Sequence, residues 1–482
     1  MTRALVIRGA EVDGRIVDVR IEGDRIVALD PSAEHRSSGP GDDVFEAHGG
    51  ALFPGLHDHH LHLLALAAAA RSIRVGPSDV AGAAGFAAAL RAADAALVPG
   101  RWIRAVGYHE SVAGPLDRHG LDAIVPDRPV RVQHRSGAMW VLNSAAAVAV
   151  GLLPAAGPEP ASAFAAGVER AADGTPTGRL YGLDAWLGER VPHEPLDLAA
   201  VGRMLLDHGV TGVTDATPTE RSDDLALMAA AVAGGALPQE VVVMGGPALD
   251  PGAGAELERG PVKLVVADHR LPDLDGLAAA IDAAHRAHRA VAVHCVTRVG
   301  LLLALAAWDE TGAALGDRIE HGAVVHPEDA ARIAVHRLTV VTQPAFVAER
   351  GDDYLGDVDA DDRPHLWRCA GLLRAGIPVG GSTDAPFGPA DPWQAIAAAV
   401  ERRTPSGRVL DTAERLDARR ALDLFLGPAD APGGPPRRVA PGVPADLCLL
   451  AAPLDEALRS PSAALVAATV RNGRLTTPKR HP

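Results

Sequence analysis

Short apolar segments that contain or end in a polar residue recur along the chain, and their spacing limits the possible folds more than any other feature. Lys263, His294, His321 and Asp384 each belong to such a segment, and the gaps between them are 31, 27 and 63 positions. Because one β/α unit takes about 30 residues, we interpret the gaps as one unit, one unit and two units. This spacing favours a parallel α/β sheet over a sandwich or a helical bundle.

Eight strands are predicted in total, which is the number of strands in a TIM barrel. Alanine-rich helical patterns separate several of them. A doubly wound open sheet is the alternative, but the sequence has no Gly-x-Gly-x-x-Gly turn and no phosphate-binding loop. The predicted strands are the segment before His60 and residues 209–215, 239–244, 261–266, 290–294, 318–322, 338–344 and 377–384.

The first predicted strand leads into His60 and His62, which are separated by one residue. Alternate side chains of an extended strand point to the same side, so both imidazoles can approach one metal ion. Zinc accepts neutral imidazole readily. A pair of surface histidines is the alternative interpretation, and the pair alone does not decide between the two.

Lysine is nearly absent from this chain: of 46 Lys and Arg residues, only Lys263 and Lys479 are lysines. Lys263 lies inside the apolar segment 261–266, which is typical of a buried strand. A buried lysine can lose its proton and become a nucleophile, a base or a modifiable amine, whereas arginine cannot. The alternative is a lysine at a strand end whose ammonium group reaches solvent.

The composition favours a soluble, cytoplasmic enzyme that acts on a small molecule. A net charge of −15 and an aromatic content of 3% argue against a nucleic-acid partner. The apolar runs are too short to cross a membrane. Three cysteines provide no disulfide framework, and the first residues lack the apolar region of a signal peptide. The sequence leaves the oligomeric state open between a monomer and a homodimer.

Taken together, these residues resemble the metal-binding set of the amidohydrolase superfamily. The sequence motifs around them are most similar to those of the amidohydrolase-3 branch, which includes N-substituted formamide deformylases. These motifs are Phe53-Pro54-Gly55-Leu56, Arg318-Ile319-Glu320-His321-Gly322 and Gly381-Ser382-Thr383-Asp384-Ala385-Pro386. The resemblance covers nearly the whole chain. The matched ligands are His60, His62, Lys263, His294, His321 and Asp384.

The resemblance implies a (β/α)8 TIM barrel at residues 55–430 and a small composite β-sandwich from residues 1–54 and 431–482. An insertion after the first barrel strand, at about residues 75–195, is predicted to carry strands at 101–110 and 129–140. Such insertions often shape substrate choice.

The resemblance also implies one or two divalent ions, usually zinc, with Lys263 carboxylated to bridge them. Asp384 would act first as general base and then as general acid, although a turn or helix-capping carboxylate is the alternative role. Asp58 is predicted to orient a ligand histidine through its second ring nitrogen. His57 and His59 are predicted to be structural.

Two departures from the branch concern the substrate. Ser136-Gly137-Ala138 stands where an Asp-Gly-His motif is usual. After His294, where the branch often continues with Gly-Asp, this chain has Cys295-Val296-Thr297-Arg298. Arg298 can receive an acidic substrate group or pair with a neighbouring carboxylate. The candidates for the missing polar contact are Tyr108, His109, His134 and Arg135.

We therefore expect a metal-dependent hydrolase of a non-peptide carbon–nitrogen bond in an amide, an N-acyl or N-formyl amine, or a cyclic amide. A metal-assisted lyase or isomerase is the first alternative, since a polarised carbonyl beside a carboxylate base also supports proton abstraction. A barrel that binds a small ligand without turnover is the second. The sequence does not identify the substrate.

Overall fold

The computed structural model describes residues 3–31, 41–154, 166–247, 249, 256–267 and 271–478. Lys479 lies outside these residues. The chain forms two compact units: residues 1–63 with 198–482, and residues 64–197. The fold is mixed α/β. Among the described residues, no helix is both long enough and apolar enough to span a bilayer.

The strands are numbered here in chain order. They are β1 (Leu5–Val12), β2 (Arg15–Glu22), β3 (Arg25–Pro31), β4 (Asp43–Glu46), β5 (Leu52–Pro54), β6 (Leu56–Leu61), β7 (Ile73–Arg74), β8 (Ile103–Tyr108), β9 (Val130–His134), β10 (Met139–Leu142), β11 (Val168–Arg170), β12 (Pro176–Tyr181), β13 (Val210–Asp215), β14 (Glu240–Val243), β15 (Glu258–Arg259), β16 (Val262–Val265), β17 (Val291–Cys295), β18 (Arg318–His321), β19 (Thr339–Thr342), β20 (Val379–Gly381), β21 (Leu447–Leu450), β22 (Val466–Arg471) and β23 (Arg474–Thr476).

The helices follow the same convention. They are α1 (Leu63–Ala69), α2 (Gly82–Ala96), α3 (Glu110–Ala113), α4 (Arg118–Asp122), α5 (Ser144–Ala149), α6 (Asp184–Gly188), α7 (Leu198–Asp207), α8 (Ser222–Ala233), α9 (Leu274–Arg286), α10 (Arg298–Thr311), α11 (Pro327–Val335), α12 (Ala345–Asp357), α13 (Ala370–Arg374), α14 (Pro392–Glu401), α15 (Ala418–Asp423) and α16 (Leu454–Ala457).

The two ends of the chain contribute two four-stranded sheets, ordered β3-β2-β1-β4 and β23-β22-β21-β5. Ile7 and Val19 of the first sheet belong to one buried apolar cluster with Leu447, Leu449 and Val470 of the second. Burial of this shared apolar surface holds the two sheets together.

The central part of the first unit contains parallel strands in two sheets, ordered β15-β14-β13-β6 and β16-β17-β18-β19-β20. Each of the eight predicted strands overlaps a strand of these sheets. Parallel strands place their C-terminal ends at one edge, so His294 near the end of β17 and His321 at the end of β18 come together. Backbone hydrogen bonds also join the two sheets, from Asp384 N to His60 O (2.8 Å) and from Lys263 N to Gly245 O (2.9 Å).

The second unit contains a six-stranded sheet ordered β11-β12-β10-β9-β8-β7. The strand predicted at 101–110 is the shorter β8. The strand predicted at 129–140 is instead an antiparallel hairpin of β9 and β10. Gly137 has a φ of 76° in the connecting turn, a conformation that glycine adopts readily and that reverses the chain here.

Candidate metal centre

His60 and His62 both face the carboxylate of Asp384. The Nε2 atom of His62 lies 3.2 Å from Asp384 Oδ1, and the Nε2 atom of His60 lies 3.5 Å from the same oxygen. His60 belongs to β6 and His62 follows its last residue. The alternation of an extended chain therefore brings both rings to one side, while backbone bonds to the 384–385 segment fix the carboxylate opposite them.

His321 and His294 extend this cluster along the strand ends. One ligand atom from each of His60, His321 and Asp384 lies within 4.8 Å of the others. The His321 ring lies 4.9 Å from the His60 ring and 4.4 Å from the His294 ring, measured between centroids. His321 (φ 72°) and Asp384 (φ 54°) both adopt left-handed backbone conformations. Such conformations are unfavourable for residues other than glycine and concentrate at functional sites.

Three of the four histidines are held through their Nδ1 atoms. His60 Nδ1 contacts Glu320 Oε2, His62 Nδ1 lies 2.8 Å from Thr217 Oγ1, and His321 Nδ1 lies 2.9 Å from Gln343 Oε1. Carboxylate and amide oxygens only accept hydrogen bonds, so Nδ1 of His60 and of His321 carries the ring proton. Nε2 of these rings then keeps its lone pair for a metal ion.

The hydrogen-bonded partners are themselves fixed. The Arg318 guanidinium donates through Nε to Glu320 Oε1 and through a terminal nitrogen to His59 O at 3.1 Å. Gln343 donates through Nε2 to Ser382 Oγ at 2.8 Å. The hydrogen bond from Gln343 to Ser382 sets the orientation of the Gln343 amide, so that the amide oxygen faces His321.

Burial favours the neutral form of His60, His294 and His321. The pKa of His294 falls to about 3, first because of burial and then because of the nearby Lys263 side chain. Burial likewise holds the pKa values of His60 and His321 well below the ordinary value, with Lys263 and neighbouring histidines adding to the effect. Neutral imidazole is the form that binds metal.

Lys263 lies in β16 with its side chain buried. Its Nζ atom makes no hydrogen bond with the described residues. Burial lowers the pKa of Lys263, while the charges of Glu320 and Asp384 oppose that shift. An unpaired ammonium in a buried site is costly, which favours the neutral amine.

Asp384 Oδ1 is likewise buried without a hydrogen bond from the described residues. Lys263 Nζ and Asp384 Oδ1 thus lie beside four histidines with no hydrogen bond from the described residues, although buried polar atoms are normally paired. Imidazole nitrogens and carboxylate oxygens suit zinc and other divalent transition metals. The donor set therefore fits a divalent metal ion.

The hydrogen bonds of Asp58 differ from those predicted. Its carboxylate accepts from the Thr383 backbone N–H at 3.0 Å, from the Thr383 hydroxyl and from the His60 backbone N–H at 3.3 Å. None of these described contacts is with a histidine ring. Asp58 ties β6 to the segment that carries Asp384, whereas Glu320 contacts Nδ1 of a ligand histidine, the role that was predicted for Asp58.

The two histidines predicted to be structural, His57 and His59, are fully buried and stack with ring centroids 4.6 Å apart. His57 Nε2 lies 3.0 Å from Thr214 Oγ1.

Arg298 pairs with carboxylates at the start of α11. Its Nε lies 3.0 Å from Asp329 Oδ2, and a terminal nitrogen lies 2.6 Å from Glu328 Oε1. Of the two predicted roles, binding an acidic substrate group or pairing with a neighbouring carboxylate, Arg298 has the second in this structure. The other substrate-binding candidates, Tyr108, His109, His134 and Arg135, lie in the second unit, and their role stays a prediction.

A cavity of about 320 Å³ lies beside the loops that follow β17 and β18. Val296 and Val324 line it together with Arg298, Tyr354 and Trp367. Trp367 is 2% exposed, and its Nε1–H group has no hydrogen-bond partner among the described residues. Asp357, Asp359 and Asp362 also line the cavity, which therefore combines apolar and acidic side chains.

Sequence reasoning missed Glu320, Thr217 and Gln343, which position the ligand histidines. Glu320 lies in the segment Arg318-Ile319-Glu320-His321-Gly322 that carried the resemblance. Its place in that segment, next to a predicted ligand, is the signal that could have marked it as a residue of the site. Thr217 and Gln343 gave no comparable signal, because each is an ordinary polar residue after a strand.

The sequence is similar to those of known proteins. The family model described as "Amidohydrolase family" matches residues 43–477. Putative amidohydrolase YtcJ of Bacillus subtilis (strain 168) is 24% identical over 431 residues, which cover 80% of each chain.

Solved structures show the same fold. An uncharacterized metal-dependent hydrolase from Pyrococcus horikoshii OT3 aligns with a TM-score of 0.71 at 19% identity, over 98% of this chain and 99% of that one. N-isopropylammelide isopropylaminohydrolase from Burkholderia multivorans ATCC 17616 aligns with a TM-score of 0.53 at 18% identity, over 98% of both chains. With the family model matching most of its length, this chain belongs to the amidohydrolase family.

Proposed function

We propose that this protein is a metal-dependent hydrolase of a non-peptide carbon–nitrogen bond in an amide, an N-acyl or N-formyl amine, or a cyclic amide. The observation that carries the proposal is the convergence of His60 and His62 on Asp384 Oδ1, with His321 beside them. That oxygen has no hydrogen-bond partner among the described residues. The aminohydrolase named among the solved structures supports the choice of a carbon–nitrogen bond.

The metal would be zinc, held by His60, His62, His294, His321, Asp384 and Lys263. When bound, a divalent cation supplies Lewis acidity, which polarises a carbonyl group and acidifies water. Lys263 would be carboxylated: its neutral amine attacks CO2, a nitrogen–carbon bond forms and one proton is released. The lowered pKa of Lys263 supports this step, because only the neutral amine is nucleophilic.

Asp384 is the proton carrier in the proposed reaction. It takes a proton from the attacking water and delivers it to the leaving nitrogen as the carbon–nitrogen bond breaks. The backbone N–H of Asp384 donates to His60 O, and the backbone N–H of the preceding residue, Thr383, donates to the Asp58 carboxylate. These two hydrogen bonds keep the Asp384 carboxylate beside the histidines. One group then serves as base and acid within a single turnover.

The central strands would form a closed (β/α)8 barrel. The backbone bonds from Asp384 to His60 and from Lys263 to Gly245 support closure at both junctions between the two parallel sheets. In such a barrel the substrate binds at the C-terminal ends of the strands.

The test combines metal analysis with turnover. Protein purified without chelator is analysed by elemental mass spectrometry, and N-formyl amines, N-acyl amines, cyclic amides and dipeptides are screened in water enriched in oxygen-18. We expect bound zinc that decreases in Lys263→Ala, and label in the carboxyl product. Asp384→Asn should lower kcat by about 10²–10⁴-fold.

Three results would count against the proposal. Absence of metal after reconstitution with Zn²⁺ would remove the proposed chemistry. Turnover without incorporation of solvent oxygen would favour the lyase or isomerase instead. Hydrolysis confined to the dipeptides would place the activity on peptide bonds. Circular dichroism of Asp384→Asn, alongside Asp127→Asn at an exposed position, shows whether any loss reflects misfolding.

A further inference from the structure

A second group of potential metal ligands lies within the unit formed by residues 64–197. One ligand atom from each of His109, Glu110 and His134 lies within 4.8 Å of the others. Glu110 Oε2 is 3.1 Å from His134 Nε2 and 3.8 Å from His109 Nε2. Ligands about 2.1 Å from one ion are separated by no more than about 4.2 Å, so small side-chain movements would bring all three to a common ion.

The sheet of this unit explains why the two histidines meet. Strands β8 and β9 are parallel neighbours, and Tyr108 is the register partner of His134. His109 follows the last residue of β8, and His134 is the last residue of β9. The pairing register shifts between Ala105 and Tyr108, and such irregularities redirect the side chains that follow them. Two parallel strand ends thus bring the two imidazoles together.

A serine two residues after each histidine orients its ring. His109 Nδ1 lies 2.8 Å from Ser111 Oγ, and His134 Nδ1 lies 2.7 Å from Ser136 Oγ. The backbone N–H groups of Ser111 and Ser136 also donate to these Nδ1 atoms, at 3.3 and 3.2 Å, so Nε2 of His134 carries the ring proton and donates it to Glu110. Metal binding at Nε2 therefore requires the proton to move to Nδ1, where the serine hydroxyl can accept a hydrogen bond from it. Ligand histidines in metal sites are commonly held by such a hydrogen bond at the other ring nitrogen.

The charges of the cluster suit a cation. Burial is the largest influence on His134 and lowers its pKa, which favours the neutral ring. The pKa of Glu110 is also lowered: burial would raise it, but a backbone hydrogen bond and the nearby His134 outweigh that effect. The three side chains are partly exposed, so water can complete the coordination shell. Two histidines and one carboxylate with open positions form a common site for divalent transition metals.

We propose that His109, Glu110 and His134 bind a divalent transition metal ion such as Zn²⁺, with Ser111 and Ser136 as positioning residues for the two rings. This site is separate in sequence from the ligands that include His60 and Asp384. The inference does not depend on the proposed hydrolase activity, because it concerns metal binding alone.

The experiment counts Zn²⁺ bound by the full-length chain. Chelator-treated protein is brought to equilibrium with Zn²⁺ by dialysis, and bound metal is measured by elemental mass spectrometry across a range of free Zn²⁺. We expect His109→Asn/His134→Asn to bind one Zn²⁺ fewer than the wild type. Ser136→Ala should keep the site with an affinity about 10-fold lower.

Matched variants separate this site from the first. His119→Asn changes an exposed histidine of the same unit and should bind as much Zn²⁺ as the wild type. His60→Asn/His62→Asn should still bind the ion assigned to this cluster. Glu110→Gln keeps the size of a half-exposed side chain and provides a second test if the double histidine variant fails to fold. Equal Zn²⁺ binding by Glu110→Gln and wild type at every concentration would overturn the proposal.

Discussion

At the scale of single residues, the site depends on how each imidazole is held. His60 has two nitrogens, and the contact of Nδ1 with Glu320 decides that Nε2 faces Asp384. Arg318 in turn fixes Glu320. The chain Arg318–Glu320–His60 therefore sets the protonation and the orientation of one predicted ligand before any metal arrives.

Replacing Glu320 tests this relationship. In Glu320→Gln the side chain keeps its size but loses the charge that pairs with Arg318 and favours Nδ1–H on His60. We expect Zn²⁺ affinity to decrease by about 10–100-fold, measured by competition with a chromogenic chelator. Glu328→Gln is the matched control, because it removes a carboxylate that also pairs with an arginine but is exposed. Equal affinities for the two variants would contradict the proposed role of Glu320.

The residues that sequence analysis could and could not identify differ in a physical way. His60, His321 and Asp384 were predictable because parallel strands bring their C-terminal ends to one edge whatever their loops do. Thr217 and Gln343 were not, since a hydrogen bond to a ring depends on side-chain rotamers and on distances between strands. Asp58 shows the same limit: its position beside the ligands was clear, but its partner was Thr383.

At the scale of elements, one arginine joins the two parallel sheets. Arg289 follows α9 and is buried. Its guanidinium donates to Met244 O and Gly246 O beyond the end of β14, and to Gly260 O and Pro261 O just before β16. Those carbonyls flank the junction at which Lys263 enters the second sheet.

Arg289→Lys should therefore destabilise this junction. A lysine has three donors on one atom and cannot reach carbonyls on both sides in the planar arrangement of guanidinium. Leaving buried carbonyls unpaired costs about 1–3 kcal/mol each, so we expect a loss of about 3 kcal/mol in unfolding free energy, measured by urea denaturation. Arg286→Lys, at an exposed position on α9, is the control. If Arg289→Lys and Arg286→Lys unfolded at the same urea concentration, the hydrogen bonds of Arg289 would contribute little to the unfolding free energy.

The elements themselves were predictable to different degrees. Strands such as β17 and β18 were located by apolar residues next to a polar end, and this pattern survives because both faces of a parallel sheet are buried. The hairpin of β9 and β10 was not predicted, because its residues favour one extended strand apart from the Arg-Ser-Gly-Ala turn that interrupts them. The turn depends on the positive φ of Gly137.

At the scale of the whole molecule, the ligands of the candidate centre come from distant parts of the chain. His60 precedes the unit of residues 64–197, whereas Lys263, His321 and Asp384 follow it. The unfolded chain holds no such arrangement, so metal that binds the site binds the native state selectively. Binding therefore adds to the unfolding free energy.

Removal of the metal should thus lower the thermal stability of the protein. At a free Zn²⁺ concentration 100 times the dissociation constant, one site adds about 2.7 kcal/mol. We expect chelation to lower the unfolding temperature in differential scanning calorimetry and Zn²⁺ to restore it. The measurement uses Glu110→Gln, so that Zn²⁺ at the His109 cluster does not contribute. Adding His60→Asn/His62→Asn to this variant should abolish the response, because the two imidazoles next to Asp384 are then missing; a full response in that variant would show that the stabilising ion binds elsewhere.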